Sequence, residues 1–325
     1  MVGFLLRRLL QIAIVMFIVI AIAFSMFTYL GDPLVAILGA DSTPAQRAAL
    51  RAELGLDRPM IFQFVSYIGN VLSGNFGISY RLGRPVGAVL AERFPATFEL
   101  AMSGMLIAVV VGIPAGVYAA IYKNRISSRI VMGASLFGIS LPSFFMGILL
   151  IWIFSVNLMW LPSYGRGPTV DIAGWKTGLL TLDGLRALLM PALTIAVFQV
   201  AMIMRLVRAE MLEVLRTDYI LFARARGLSE RSVNFRHALR NTLIPVVTVV
   251  GVQLGSVIAF AVITEAVFQW PGLGLLFLQS VAAADVSMMA AYLIVIAALF
   301  VFINLIVDLL YFAIDPRLSI SSGKG

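Results

Sequence analysis

Six long apolar segments constrain this chain more than any other feature. They run roughly over Leu9–Leu30, Phe98–Tyr122, Ile130–Val156, Leu188–Leu206, Leu243–Glu265 and Met288–Ile314. A hydrocarbon core of ~30 Å takes about 20 apolar residues per helix, so each run is long enough to cross it. Lipid offers the backbone no hydrogen bonds, so such segments must fold as helices. With 61% hydrophobic residues and 12% charged, the composition excludes an ordinary soluble domain. The expected fold class is all-α, a polytopic membrane bundle of six transmembrane helices. The first run follows Arg7-Arg8 but exceeds a signal-peptide core of about 7–15 residues and lacks a clean small-x-small site, so it reads as a retained first helix.

The absent residue types narrow the chemistry. There is no cysteine, hence no disulfide, thiol redox chemistry or cysteine metal site, and a single histidine, His237, excludes a multi-histidine metal centre. No P-loop, His-Glu-x-x-His or Gly-x-Ser-x-Gly pattern occurs, so the chain is read as carrying no catalytic, cofactor or metal residues. Glu99, Glu265 and Asp308 are the acids in or near the apolar runs. Intramembrane charge is functional by default, but these lie near the ends of the runs, where water access and structural anchoring are expected.

Basic residues set the expected topology. Arg7 and Arg8 precede the first run, Lys123, Arg125 and Arg129 follow the second, and arginines crowd the region after the fourth. Residues 266–287 contain no Lys or Arg. The positive-inside rule then places both termini and the Arg-rich loop in the cytoplasm. The chain divides into a cytoplasmic tip with the first helix (1–30), an external segment (31–97), a five-helix core (98–314) with a loop at about 212–241, and a cytoplasmic tail (315–325). In the external segment, 46–54 reads as a short amphipathic helix and Pro59 starts another. Gly112-Ile113-Pro114, Leu141-Pro142-Ser143 and Pro191 are breakers inside membrane runs. They fit either transporter kinks or the ordinary frequency of Pro and Gly in membrane helices.

The Arg-rich loop carries the strongest local pattern. Asp218–Arg226 suits a short helix, and Gly227 suits its C-terminal cap. Ser229 suits the N-cap of a second helix, with Glu230 at its positive end. The apolar Val233, Phe235, Leu239 and Leu243 alternate with Arg231, Arg236 and Arg240. This pattern fits a loop docking on a soluble motor subunit or an amphipathic helix lying on anionic lipid.

Ala223–Gly227 with Leu228-Ser229, then His237–Asn241 and Ile244-Pro245, resembles the "EAA" loop of bacterial ABC importer permeases. The resemblance is to the dipeptide/oligopeptide/nickel branch, first permease type. Leu54–Pro59, Phe76–Ser79 with Arg84-Pro85-Val86, Ser140–Gly147, Phe268–Gly274, Asn304–Tyr311 and Asp315-Pro316-Arg317 agree in order. The pattern's acid and first alanine fall on Leu221 and Phe222. Where the branch shows Arg-Asp-Tyr-Pro, this chain has Ala284-Asp285-Val286-Ser287.

The resemblance implies a type I ABC importer-like subunit of the bacterial inner membrane. It would pair with a second permease, two ABC ATPases that hold ATP and Mg, and an external binding protein, with membrane lipid around it and no nucleic acid. Ala223, Arg224, Ala225, Arg226, Gly227, Leu228, Ser229, Glu230 and Arg231 would form the coupling element. Gln199, Met202, Gln253 and Ser256 are candidate residues of a substrate pathway, with di- or oligopeptides as the implied cargo. A stand-alone secondary transporter or channel is the competing reading, disfavoured by the lack of a midplane carboxylate; a membrane enzyme is the third.

Overall fold

The computed structural model describes residues 2–29, 43–53 and 57–314. The external segment's 31–42, the Leu54-Gly55-Leu56 of its motif, and the tail with Asp315-Pro316-Arg317 lie outside the described residues. Within them the chain is mostly helical, with one two-stranded antiparallel ribbon.

The helices are α1 (Val2–Tyr29), α2 (Pro44–Glu53), α3 (Met60–Leu72), α4 (Val86–Ile121), α5 (Ile126–Ser140), α6 (Ser143–Asn157), α7 (Leu182–Val214), α8 (Asp218–Ala225), α9 (Ser232–Phe260), α10 (Val262–Val267), α11 (Leu273–Ala282) and α12 (Val286–Ile314). The second half of α6 and the first two turns of α9 are π-helical. Strands β1 (Val170–Ile172) and β2 (Trp175–Thr177) pair with Ile172 opposite Trp175.

Among the described residues, five unbroken helices are long and apolar enough to span a bilayer, and the α5–α6 pair makes a sixth span if it counts as one. That pair departs from the expected single helix over Ile130–Val156, because its halves meet at 104°. Pro142 is the cause. It has no N–H to continue the α5 ladder, and its ψ of 141° is extended, so the chain leaves the helix at Ser140 and restarts at Ser143. Pro191, by contrast, sits inside an α7 that runs on to Val214.

Two compact units are defined. One holds α1 to α3, α4 as far as Pro95, α11, and α12 as far as Val301. Its centre is Ile20 and Ala23 of α1 against Ala290 and Ile294 of α12. Thr43 and Gln46 form a reciprocal capping box at the start of α2. Asp285 caps α12 by accepting from the Met288 N–H at 3.3 Å, and it also accepts from the Ser79 hydroxyl. Only 2% exposed, Asp285 ties the 79–85 turn to the start of α12.

The other unit runs from Ala96 to Trp270 and resumes at Phe302. Helix α7 is its axis: 61% of its apolar window is buried, against 11% for α1, and α5, α6, α9 and α10 pack on it. Close approach depends on small residues. A Cβ on Gly116 would meet the Met204 carbonyl and Val207 at 2.7 Å, and one on Gly251 would meet Val307 at 2.2 Å.

The acids differ from expectation. Glu99 is 5% exposed and Glu265 is fully buried. Helix α4 starts at Val86, well before its apolar run, which carries Glu99 into the helix body, and the 158–181 loop folds over it. Glu265 accepts from the Thr97 hydroxyl. Asp308 is half-buried in α12.

Candidate functional site

The Arg-rich loop folds as two helices hinged at Gly227. Helix α8 ends in a paired hydrogen-bond motif: Leu228 N–H donates to the Ala223 carbonyl at 3.3 Å, and Gly227 N–H to the Arg224 carbonyl at 2.9 Å. This is the Schellman arrangement, which needs a left-handed residue between the two helices. Gly227 supplies it, with φ +77° and nothing within 4 Å of a hypothetical Cβ. The chain turns helical again at Glu230. Ser229 caps that turn, accepting from Val233 N–H at its carbonyl (3.0 Å) and from Ser232 N–H at its hydroxyl (3.4 Å). Arg224 Nε donates to Glu230 Oε1 at 3.1 Å, bridging the hinge.

Burial sorts the loop into two faces. Ile220, Ala223, Val233 and Ala238 point inward. Of the residues expected to couple, Ala223 is buried, while Arg224, Ala225, Arg226, Gly227, Leu228, Ser229, Glu230 and Arg231 are all exposed. The outward face also carries Leu221, Phe222 and Phe235, with Arg226 stacked 5.9 Å from the Phe222 ring centre. Phe222 is 65% exposed, so this is an apolar spot beside the Arg226 guanidinium. Sequence reading assigned no role to Leu221 or Phe222. Their signal was an adjacent apolar pair directly before buried Ala223.

A second feature lies at the α5–α6 break. A cavity of about 420 Å³ opens between that break and α7, α9 and α10. Gln199, Gln253 and Ser256, three of the four predicted pathway residues, line it together with Thr194 and Thr264. The fourth, Met202, has its sulfur against Gln253 Nε2. Gln199 is 6% exposed, and its Oε1 has no hydrogen-bond partner among the described residues. An unsatisfied buried amide oxygen beside a cavity of this size calls for a donor that the described residues do not supply.

A third feature is a buried clasp. Arg166 Nη2 donates to Glu99 Oε2 and to the Lys176 carbonyl, each at 2.6 Å. Trp175 Nε1 donates to Glu99 Oε1 at 3.0 Å, and the Arg166 guanidinium lies 5.9 Å from the Trp270 ring centre. Trp270 is itself fixed through its Nε1 to the Ala96 carbonyl at 2.9 Å. These bonds hold the β1–β2 loop to α4.

Together these features define a multi-pass helical membrane protein with a cavity at a broken helix and an exposed basic two-helix turn. Comparison with known proteins gives this class its family. The model described as "Binding-protein-dependent transport system inner membrane component" matches residues 112–320, and that of the corresponding N-terminal region matches 1–101. The chain belongs to this family and is the membrane-spanning permease subunit of a binding-protein-dependent ABC importer. That membership sets aside the secondary-transporter and membrane-enzyme readings. The chain is 38% identical over 320 residues to the glutathione transport system permease protein GsiC of Escherichia coli (strain K12), covering 98% of this chain and 99% of that one. It is also 38% identical over 332 residues to the di/tripeptide transport system permease protein DppB of Pseudomonas aeruginosa (strain UCBPP-PA14), with the same coverage. Inward-facing structures of the MetNI methionine ABC transporter share the fold: in one, TM-score 0.57 at 19% identity, covering 70% of this chain and 96% of that one.

Proposed function

We propose that this subunit carries short peptides through the cavity at the α5–α6 break and is driven through its Gly227 hinge. Two similar permeases and two ATPases form the transporter, and an external binding protein delivers the cargo. The cytoplasmic face carries both termini and the Arg-rich loop. Residues 224–231, with Leu221 and Phe222 beside them, sit in a groove of an ATPase that holds ATP and Mg. Closure of the ATPase pair moves the hinge and switches the pathway between its two openings.

The observation that carries this reading is the Schellman-closed turn. The fold spends a left-handed glycine and two capping bonds on keeping Phe222, Leu228 and Arg226 outward, where an apolar face left in water would be unfavourable. Peptide cargo is supported by the glutathione and di/tripeptide names of the 38% identical relatives, and by amide and hydroxyl groups lining the cavity.

The test is Gly227→Asp, measured in cells with the partner subunits present. Membrane insertion and co-purification with the ATPases should persist while uptake of labelled peptide is lost. Normal uptake by that variant would sink the coupling assignment.

A further inference from the structure

Helix α3, Met-Ile-Phe-Gln-Phe-Val-Ser-Tyr-Ile-Gly-Asn-Val-Leu, contains no charged residue. Its side chains sort into three stripes at helical spacing. Phe64, Tyr67, Ile68 and Val71 pack towards the Ile20–Ala23–Ala290–Ile294 cluster. Gln63, Ser66 and Asn70 form a narrow polar stripe. Ile61, Val65 and Leu72, flanked by Phe62, form an apolar stripe that is 62–79% exposed.

Depth decides what that exposed stripe faces. The Phe64 ring lies 5.7 Å from Phe17 and 5.2 Å from Phe24, and Tyr67 lies 5.8 Å from Phe24 and 5.6 Å from Phe27. Phe17 sits at the middle of the Leu6–Tyr29 span. At 1.5 Å per residue, Phe24 is only about 10 Å further along α1, still within the hydrocarbon core of ~30 Å. Ala290 and Ile294, in the same cluster, lie inside the Val286–Leu310 span. Helix α3 is thus level with acyl chains, although its 13 residues, about 20 Å long, are too few to cross.

We propose that α3 is a membrane-inserted half-helix, with Ile61, Phe62, Val65 and Leu72 in contact with lipid acyl chains. Adsorption on headgroups needs a cationic face, which α3 lacks. Insertion leaves little backbone to satisfy. The N–H groups of Phe62 and Gln63 donate to the Pro59 carbonyl, and Gln63 Nε2 closes on the Arg58 carbonyl at 2.8 Å. The proposal brings this helix of the 31–97 segment, expected to be external, into the membrane.

The absence of cysteine makes the test direct. Nitroxide labels are placed singly at Phe62→Cys and Val65→Cys in the assembled transporter in bilayer nanodiscs. A label at Ile14→Cys, on the exposed side of α1, is the lipid reference. Collision rates are measured with oxygen, which concentrates in lipid, and with a water-soluble nickel chelate. The expected result is oxygen access at 62 and 65 matching that at 14, with nickel access lost. Dominant nickel access would place α3 in water and overturn the proposal. Exclusion of both reagents would mean a protein partner covers the stripe, and would equally overturn it.

Discussion

Arg166 Nη2 lies 2.6 Å from Glu99 Oε2, and both side chains are under 10% exposed. They are 67 residues apart in the chain, so the contact closes the 158–181 loop onto α4. Removing one member of a buried ion pair leaves an uncompensated charge and costs about 3–5 kcal/mol, whereas replacing both by apolar residues is often neutral. Arg166→Met should therefore lower the melting temperature of the purified subunit sharply, and Glu99→Leu in the same chain should restore most of it. Equal melting of the single and double variants would show that the pair does not act as a unit.

Gly227 is left-handed and uncrowded, so its requirement is conformational rather than steric. A Cβ there costs about 1–2 kcal/mol of local strain, less for Asn, which visits this region more readily. Gly227→Val should lower coupled uptake more than Gly227→Asn, with both proteins reaching the membrane at normal levels. Transport measured against subunit abundance in membranes checks the ranking, and parity between the two variants would contradict it.

Much of this architecture is written locally in the chain. The apolar runs give the spans because lipid permits little else, and Gly227 followed by Ser229 gives the hinge because cap chemistry depends on adjacent residues. What stays hidden depends on partners far away in sequence. Nothing near Glu99 announces Arg166, and nothing near Asp285 announces Ser79, which lies 206 residues before it. The bend at Pro142 was visible as a breaker, but its size follows from how both halves pack on α7. The pathway candidates Gln199 and Met202 lie in one apolar run, Gln253 and Ser256 in another. Three of them share a cavity because α7 and α9 meet there, which neither run states alone.

Helix contact in the second unit depends on glycine where backbones approach. A Cβ on Gly116 would fall 2.7 Å from backbone and side-chain atoms of α7, whereas one on Gly133 would meet nothing within 4 Å. Gly116→Val should destabilise the subunit by about 1–3 kcal/mol through overpacking. Gly133→Ala should be neutral or stabilising by a few tenths to ~1 kcal/mol through helix propensity. Thermal unfolding of the two variants side by side tests the contrast, and similar losses in both would contradict the packing at Gly116.

Gln199 offers the sharpest separation of pathway from packing. Its Oε1 is buried without a hydrogen-bond partner among the described residues, a cost of about 1–3 kcal/mol to the subunit. Gln199→Leu removes that cost at similar volume, so the variant should melt at or above the parent temperature. If the amide serves cargo or water in the cavity, uptake should nevertheless fall several-fold, with ATPase activity retained. Thermal melting and peptide uptake on the same preparations decide it. Higher stability with unchanged uptake would remove Gln199 from the pathway and leave it as a polar residue of the bundle interior.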